Sequence, residues 1–462
     1  MASPDASTAA SSTATPGRIA WRDGVDDGGL TAAFAQAAAE QRPLFLYWGA
    51  AWCPPCNRVK AEIFARDDVA ERLRGLLPVY LDGDSAGAQA LAAQYQLRSY
   101  PTLILFAPDG REITRLPCEL DGELFVAALD VALRCASTAS LSLQMALSAE
   151  PALTADAWSL LAHYSWDTDE GQLLASRDAA ATLTALAQAC PQPDAAARLA
   201  LHAQVAGRRP ADAGALLAVI TDARLARANM DLLNNSGIEL IKAAAEGRVE
   251  LVAALSAVAR TWSGDLWLSA SDRLTALRLQ MRLTRLGAPV ADLPEQVSQQ
   301  VAELLAETSD PYERHTLVNT AVSALHDAGL AQQAEALLLA ELPGSHSPYY
   351  FMLSLVGSAK RRGDTAGVLN CYEQAAAGAT GRATRLQWDT TYLSSLIDLA
   401  PHDGARIDAA AATLLRDIAA TTDAFQQRNL TQLQRAAAKL AGLPQPGPEA
   451  IALSRAIAAG LA

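Results

Sequence analysis

One stretch constrains the fold more than any other: a strand signal runs into two cysteines and then straight into a helix. Pro43 to Trp48 reads PLFLYW, a short apolar and β-prone run of the kind that a strand buried on both faces needs. Trp52-Cys53-Pro54-Pro55-Cys56 follows, and apolar residues then recur at helical spacing through Val59, Ile63 and Phe64. Two prolines suit a first helical turn, where the amide hydrogen would be unpaired anyway and φ is already set near about −65°. The surrounding sequence extends the pattern. Gly29 to Glu40 is apolar at helical spacing through Leu30, Phe34, Ala37 and Ala38, Leu76 to Leu81 is a second apolar run, and Ser85 to Gln96 is helical. TLILFA (Thr102 to Ala107) and REITRL (Arg111 to Leu116) flank Pro108-Asp109-Gly110, a hairpin turn signal. Asp121 to Leu133 closes the unit as an amphipathic helix. The order α, β, α, β, α, β, β, α makes residues 18–138 a mixed α/β unit. Its helical crossovers favour parallel strands and its last turn an antiparallel pair.

From about residue 140 the strand signal disappears and Ala and Leu dominate. Helical segments are separated by breaks at Pro191-Gln192-Pro193, Arg209-Pro210, Asn234-Asn235-Ser236-Gly237, Pro343-Gly344 and Pro444-Gln445-Pro446. About fourteen helices fit this length, and their short connections suggest stacked antiparallel hairpins, an all-α helical-repeat array (α-solenoid) over residues 139–462. Gly329 and Gly363 lie 34 residues apart, the tetratricopeptide period. Ala334 and Leu338 after the first, and Val368, Tyr372 and Ala375 after the second, fall where such a repeat packs small and aromatic side chains. Residues 315–400 at least therefore read as tetratricopeptide-like, and the alternative for the whole region 139–462 is an irregular helical bundle.

Composition narrows the partners. The 462 residues are 51% apolar and 19% charged, with a formal charge of −13. That balance speaks against non-specific binding to nucleic acid or anionic membrane, both of which need clustered Lys and Arg. No apolar run approaches the roughly 20 residues of a membrane span. Residues 1–17 are small and polar, without a basic and then hydrophobic leader, and read as a disordered tail. Taken literally this places the chain in the cytoplasm, or in the periplasm if an export signal has been removed.

Six cysteines in a chain of this length do not make a disulfide scaffold. Cys53 and Cys56 form one CxxC pair; Cys118, Cys135, Cys190 and Cys371 stand singly. A sulfur at a helix N-terminus faces unpaired amides and the positive end of the macrodipole, which favour thiolate over thiol. The Cys56 amide, Arg58 and Lys60 add to that, so Cys53 is expected to be an exposed nucleophile and Cys56 a buried resolving thiol. A zinc half-site or an inert pair is the alternative, but structural zinc wants four ligands, and there is no second CxxC and no His before His163. No metal or cofactor is expected. Trp158, Trp166, Trp262, Trp267 and Trp388 are expected to pack in helix interfaces, and Cys135, Cys190 and Cys371 to be small packing residues.

WCPPC, the following NRVKAEIFARDDVAERL and the later YQLRSYPTLILFAPDGRE resemble thioredoxin-fold thiol–disulfide oxidoreductases, among them the C-terminal domain of DsbD-type reductases. The resemblance covers roughly a quarter of the chain. It implies a cis Pro101 and a substrate groove formed by Trp52, Pro54, Pro55, Tyr100 and Pro101. Cys118 falls where the family often carries a glycine beside that groove. Two positions depart from the family: Tyr47 replaces a buried Asp, and Asn57 replaces a lysine after the second cysteine. Glu62, Asp82 and Glu119 are then either substitute proton acceptors or solvated surface carboxylates. The implied activity is exchange with protein thiols and disulfides, served by an unidentified redox partner, with the helical region selecting or holding the substrate. The alternative is a chaperone-like or scaffold protein, similar in domain order to the chaperedoxins, in which redox activity is secondary.

Overall fold

Five strands and five helices build the first unit: β1 (Arg22–Asp23), α1 (Gly29–Glu40), β2 (Leu44–Gly49), α2 (Pro54–Arg58), α3 (Asp67–Arg74), β3 (Leu77–Asp82), α4 (Ala88–Gln94), β4 (Thr102–Phe106), β5 (Glu112–Leu116) and α5 (Gly122–Arg134). The protein is represented by a computed structural model, which describes residues 19–25, 29–148, 153–169, 171–207, 212–287, 290 and 292–461. The tail expected at residues 1–17 and the break at Arg209-Pro210 lie outside the described residues.

The sheet order is β1-β3-β2-β4-β5. β1 and β2 run parallel to β3, β4 runs antiparallel to β2, and β5 runs antiparallel to β4. Because successive side chains of a strand point to opposite faces, the fully buried LFLYW run of β2 feeds two cores at once. Phe45 and Tyr47 pack with α2, α3 and α5, whereas Leu44, Leu46 and Trp48 pack with α1 and α4. This is why β2 is continuously apolar rather than alternating. The crossover through α4 suggests a parallel partner for β3, yet β4 turns out antiparallel. The seven-residue α4 and its flanking turns bring the chain back to the end of the sheet that it left, since Asp82, the last residue of β3, lies opposite Gly49. β4 starts where β2 ends, with Thr102 opposite Trp48. That register brings Pro101 and the Cys53–Cys56 turn to one end of the sheet.

Eighteen α-helices follow between Ala139 and Leu461 among the described residues, more than the fourteen expected. Some breaks are a single residue: Asp222 ends one helix and caps the next, accepting from the amides of Arg224 and Leu225. Asn234 to Gly237, read above as a break, instead lies inside the helix Met230–Ala243. A β-carbon at Gly237 would stand 2.9 Å from Leu255, so the glycine serves close helix packing and not a turn. The four largest cores of this region succeed one another along the chain, spanning residues 143–203, 201–283, 274–355 and 369–457. Each core is built from neighbouring helices, the organisation of a quasi-one-dimensional array. The 34-residue spacing corresponds to two hairpins, Pro311–Asp327 with Ala331–Glu341 and Pro348–Arg361 with Thr365–Gly378. Gly329 and Gly363 both take positive φ (79° and 70°), and Leu330 and Asp364 donate back to Leu325 and Ala359 respectively. Ala334, Leu338, Val368, Tyr372 and Ala375 are buried, as their spacing requires. Trp158 and Trp262 are buried, but Trp267, in the turn before the helix Ala270–Thr284, is 96% exposed. No single described helix is long and apolar enough to cross a membrane.

Candidate active site

Cys53 is the N-cap of α2, with Pro54 and Pro55 in the first helical turn. Its Sγ accepts from the Cys56 amide at 3.3 Å, and the Asn57 amide donates to the Cys53 carbonyl at 3.0 Å. The helix widens at once into a π-turn, Val59–Ile63, so the helical continuation predicted here exists but is not α-helical throughout. The Tyr100–Pro101 peptide is cis. The Cys118 thiol donates to the Pro101 carbonyl at 3.5 Å, so Cys118 stands beside the proline loop, as its sequence position suggests. The other side of Cys118 faces a cavity of about 310 Å³, lined also by Glu119, Tyr164, Trp166, Arg198 and His202.

An aromatic stack ties the two loops together. Tyr100 lies on Trp48 at 4.9 Å between ring centroids and meets Trp52 edge-on at 5.7 Å. The Tyr100 hydroxyl accepts from Gln89 at 3.0 Å. A β-carbon at Gly83 would collide with that hydroxyl, which gives the glycine its reason. The Trp52 indole donates to Asp84 at 3.1 Å.

The two cysteines depart from expectation in exposure. Cys53, predicted to be an exposed nucleophile, is 3% exposed, and Cys56 is fully buried. The cover comes from the helical region. The Thr316 hydroxyl donates to the Pro54 carbonyl at 2.9 Å. The His346 ring lies 3.1 Å from the Ala51 carbonyl and 3.4 Å from the Asn57 amide group. Tyr350 stacks on Trp52 at 6.0 Å. Arg58 joins Asp272 at 2.6 Å, and Asp84 accepts from both the amide and the hydroxyl of Thr384. Contacts between the two regions include Ser165, on the Arg115 carbonyl, and Gln427, on the Ala92 carbonyl, so the array wraps the sheet unit.

Burial changes the electrostatics. It pushes the Cys53 thiol well above its ordinary range, against the pull of the Cys56 amide and of Arg428. The helix terminus alone therefore does not set this sulfur. Burial also raises Cys118 and lowers Lys60, and it pushes Asp84 up to about 6. Tyr47, standing where the family has an acid, keeps a buried hydroxyl with no hydrogen-bond partner among the described residues. Burial and the neighbouring Cys56 hold it protonated. None of the three candidate carboxylates is a freely solvated surface group. Glu62 pairs with Arg58 at 2.9 Å, Asp82 accepts from the Asp84 amide at 3.1 Å, and Glu119 accepts from Asn235. Of the residues expected to form the groove, Trp52, Pro54, Tyr100, Pro101 and Cys118 lie at least partly covered, and Pro55 is exposed. Cys135, Cys190 and Cys371 are half-buried free thiols remote in sequence from the pair.

With this geometry established, a family model described as a thioredoxin-like domain matches residues 30–133. Residues 30–133 are a thioredoxin-like domain. Two relatives from Pseudomonas aeruginosa agree in class. The thiol:disulfide interchange protein DsbD 2 is 35% identical over 97 residues, 20% of this chain and 16% of the relative. The protein named DsbD 1 is 31% identical over 126 residues, 27% of this chain and 21% of the relative. The chain thus spans about a fifth or less of the length of these curated relatives. A solved structure titled DsbH oxidoreductase matches at 18% identity and a TM-score of 0.23, covering 28% of this chain and 95% of that one. The thioredoxin-like domain is followed by an all-α region that contributes the cover over its cysteines.

Sequence reasoning missed the covering residues Thr316, His346, Tyr350 and Arg428. His315 and His346, scattered in sequence, come within 4.7 Å of each other between ring centroids beside the pair. No local signal marks them, because their role depends on how the array folds back.

Proposed function

We propose that this protein exchanges disulfides with protein substrates through Cys53 and Cys56, within a domain spanning residues 18–138, and that the helical region 139–462 controls which substrates reach them. The observation that carries the reading is Cys53 at the helix start, its sulfur on the Cys56 amide and the cis-Pro101 loop alongside. The Cys53 thiol loses its proton and its sulfur attacks one sulfur of a substrate disulfide, releasing the other as thiolate. A mixed disulfide results. Cys56 then attacks the Cys53 sulfur, closing the Cys53–Cys56 disulfide and expelling the second substrate thiolate. Two electrons pass to the substrate, and the two protons given up by the cysteines end on its thiols. A second dithiol reverses the sequence to reset the pair.

Cys53→Ser should abolish exchange, while Cys56→Ser should accumulate mixed disulfides with native partners. Wild-type insulin-disulfide reduction and thiol oxidation in Cys53→Ser would refute the assignment. The burial of Cys53 favours one second reading, a chaperone-like role in which binding dominates. That reading predicts that Cys53→Ser still suppresses aggregation of unfolded clients as well as the wild type does.

A further inference from the structure

Arg428 lies in the helix Gln427–Ala441, close to the end of the chain, yet its guanidinium is over two aromatic rings of the redox site. It stands 4.8 Å from the Tyr100 centroid and 5.6 Å from that of Trp52, the residue before Cys53. Among the described residues no hydrogen bond or ion pair engages this guanidinium. An arginine clamp meant only to hold two regions together would gain most from a carboxylate, and Asp84 on the same aromatic cluster is instead taken up by Trp52 and Thr384. Arg428 is a cation held over the rings of Tyr100 and of Trp52, the residue that precedes Cys53.

We propose that Arg428 is the charge that favours the Cys53 thiolate in this protein, a positioning residue delivered to the redox pair by the last helices of the chain. The need for such a charge follows from the cover: desolvation disfavours the thiolate, and only a nearby cation or amide can offset it. The other titratable groups around Cys53 do not fill the role. Tyr47 from β2 and Tyr350 from the helix Pro348–Arg361 are both held protonated by burial. His315 is lowered to about 4 by burial, and burial lowers His346 as well, so both are neutral where a thiol titrates. Lys60 bears on Cys56 before Cys53 and is itself depressed by burial. Asn57 is uncharged and Arg58 is taken up by Glu62 and Asp272, whereas Arg428 reaches the site from some 370 residues away.

This inference rests on the reading of Cys53 as the nucleophile, but its test needs no exchange reaction, so the two can fail separately. The thiolate absorbance of the full chain is titrated in the ultraviolet, as the difference between each protein and its Cys53→Ser counterpart. Arg428→Gln should move the Cys53 midpoint upward by about one pH unit, a tenfold fall in thiolate at a fixed neutral pH. Arg428→Lys, which keeps the charge, should stay within about a third of a unit of the wild type. Arg428→Met, with an unbranched apolar stem over the rings, serves as the neutral variant if the glutamine does not fold. An unchanged midpoint in the neutral variant, or a lysine variant shifted as far as the neutral one, would overturn the proposal.

Discussion

The sheet unit and the helical array bury their residues by different rules. In the thioredoxin-like domain, β2 is shared between two cores, so one strand couples both faces of the sheet and every helix that covers them. In the array, each core draws on consecutive helices and passes to the next with little overlap. The first arrangement is cooperative and locally encoded; the second is modular, and its modules act at a distance by folding back over the first. The contrast places Cys53 and Cys56 in the part of the molecule that the local sequence specifies, and their exposure in the part that it does not.

The largest effects should come from cavities in the two kinds of core. Leu103→Ala in β4 and Leu338→Ala in the array remove fully buried side chains, and each should cost about 2–5 kcal/mol. Hydrogen exchange separates them. Leu103→Ala should raise exchange on both faces of the sheet, whereas the rise in Leu338→Ala should concentrate between residues 274 and 355, the span of its core. A uniform rise across the whole array would break the contrast.

A smaller effect should come from two carboxylates in successive helices of the array. Burial, then hydrogen bonding and charge from Asp417, raise Asp389 to about 8. The folded state holds this proton more tightly than the unfolded chain, whose Asp titrates near about 3.9. Stability from this group is therefore full below about pH 4 and falls as the pH climbs toward 8. Asp389→Asn should flatten that fall and be more stable than wild type by about 2 kcal/mol at pH 9. Equal slopes in urea unfolding at pH 5 and pH 9 for the two proteins would remove the carboxyl pair from the account.

The smallest expected effect is at a cap. Asp364 accepts from the Gly367 amide at 2.8 Å at the start of the helix Thr365–Gly378. Asp364→Ala should cost about 1 kcal/mol by thermal unfolding. Its added hydrogen exchange should stay near that helix.

The same division governs what was legible in the sequence. PLFLYW, WCPPC and the Asp109-Gly110 turn are local signals, and each predicted strand or helix lies within a few residues of its place. β1 has no pattern of its own; its two residues are a strand only because Val79 and Tyr80 lie beside them. The Asn-rich stretch at 234–237 carries turn residues yet stays helical, because Gly237 is chosen for contact with Leu255 and not for backbone freedom. Trp267 reads as a packing residue by type, and only its place in a turn leaves it outside. At the site, both cysteines and Pro101 were readable. The burial of Cys53 was not, because it depends on Tyr350 and its neighbours, brought in from about 300 residues away.

The central claim is that the helical array closes over the redox pair, and site-resolved alkylation of the reduced, native full chain tests it most directly. Iodoacetamide labelling followed by mass spectrometry gives a separate rate for each cysteine. The account predicts that at neutral pH Cys53, 3% exposed, reacts more slowly than the half-buried Cys135, Cys190 and Cys371. Cys53 reacting fastest of the six would contradict it.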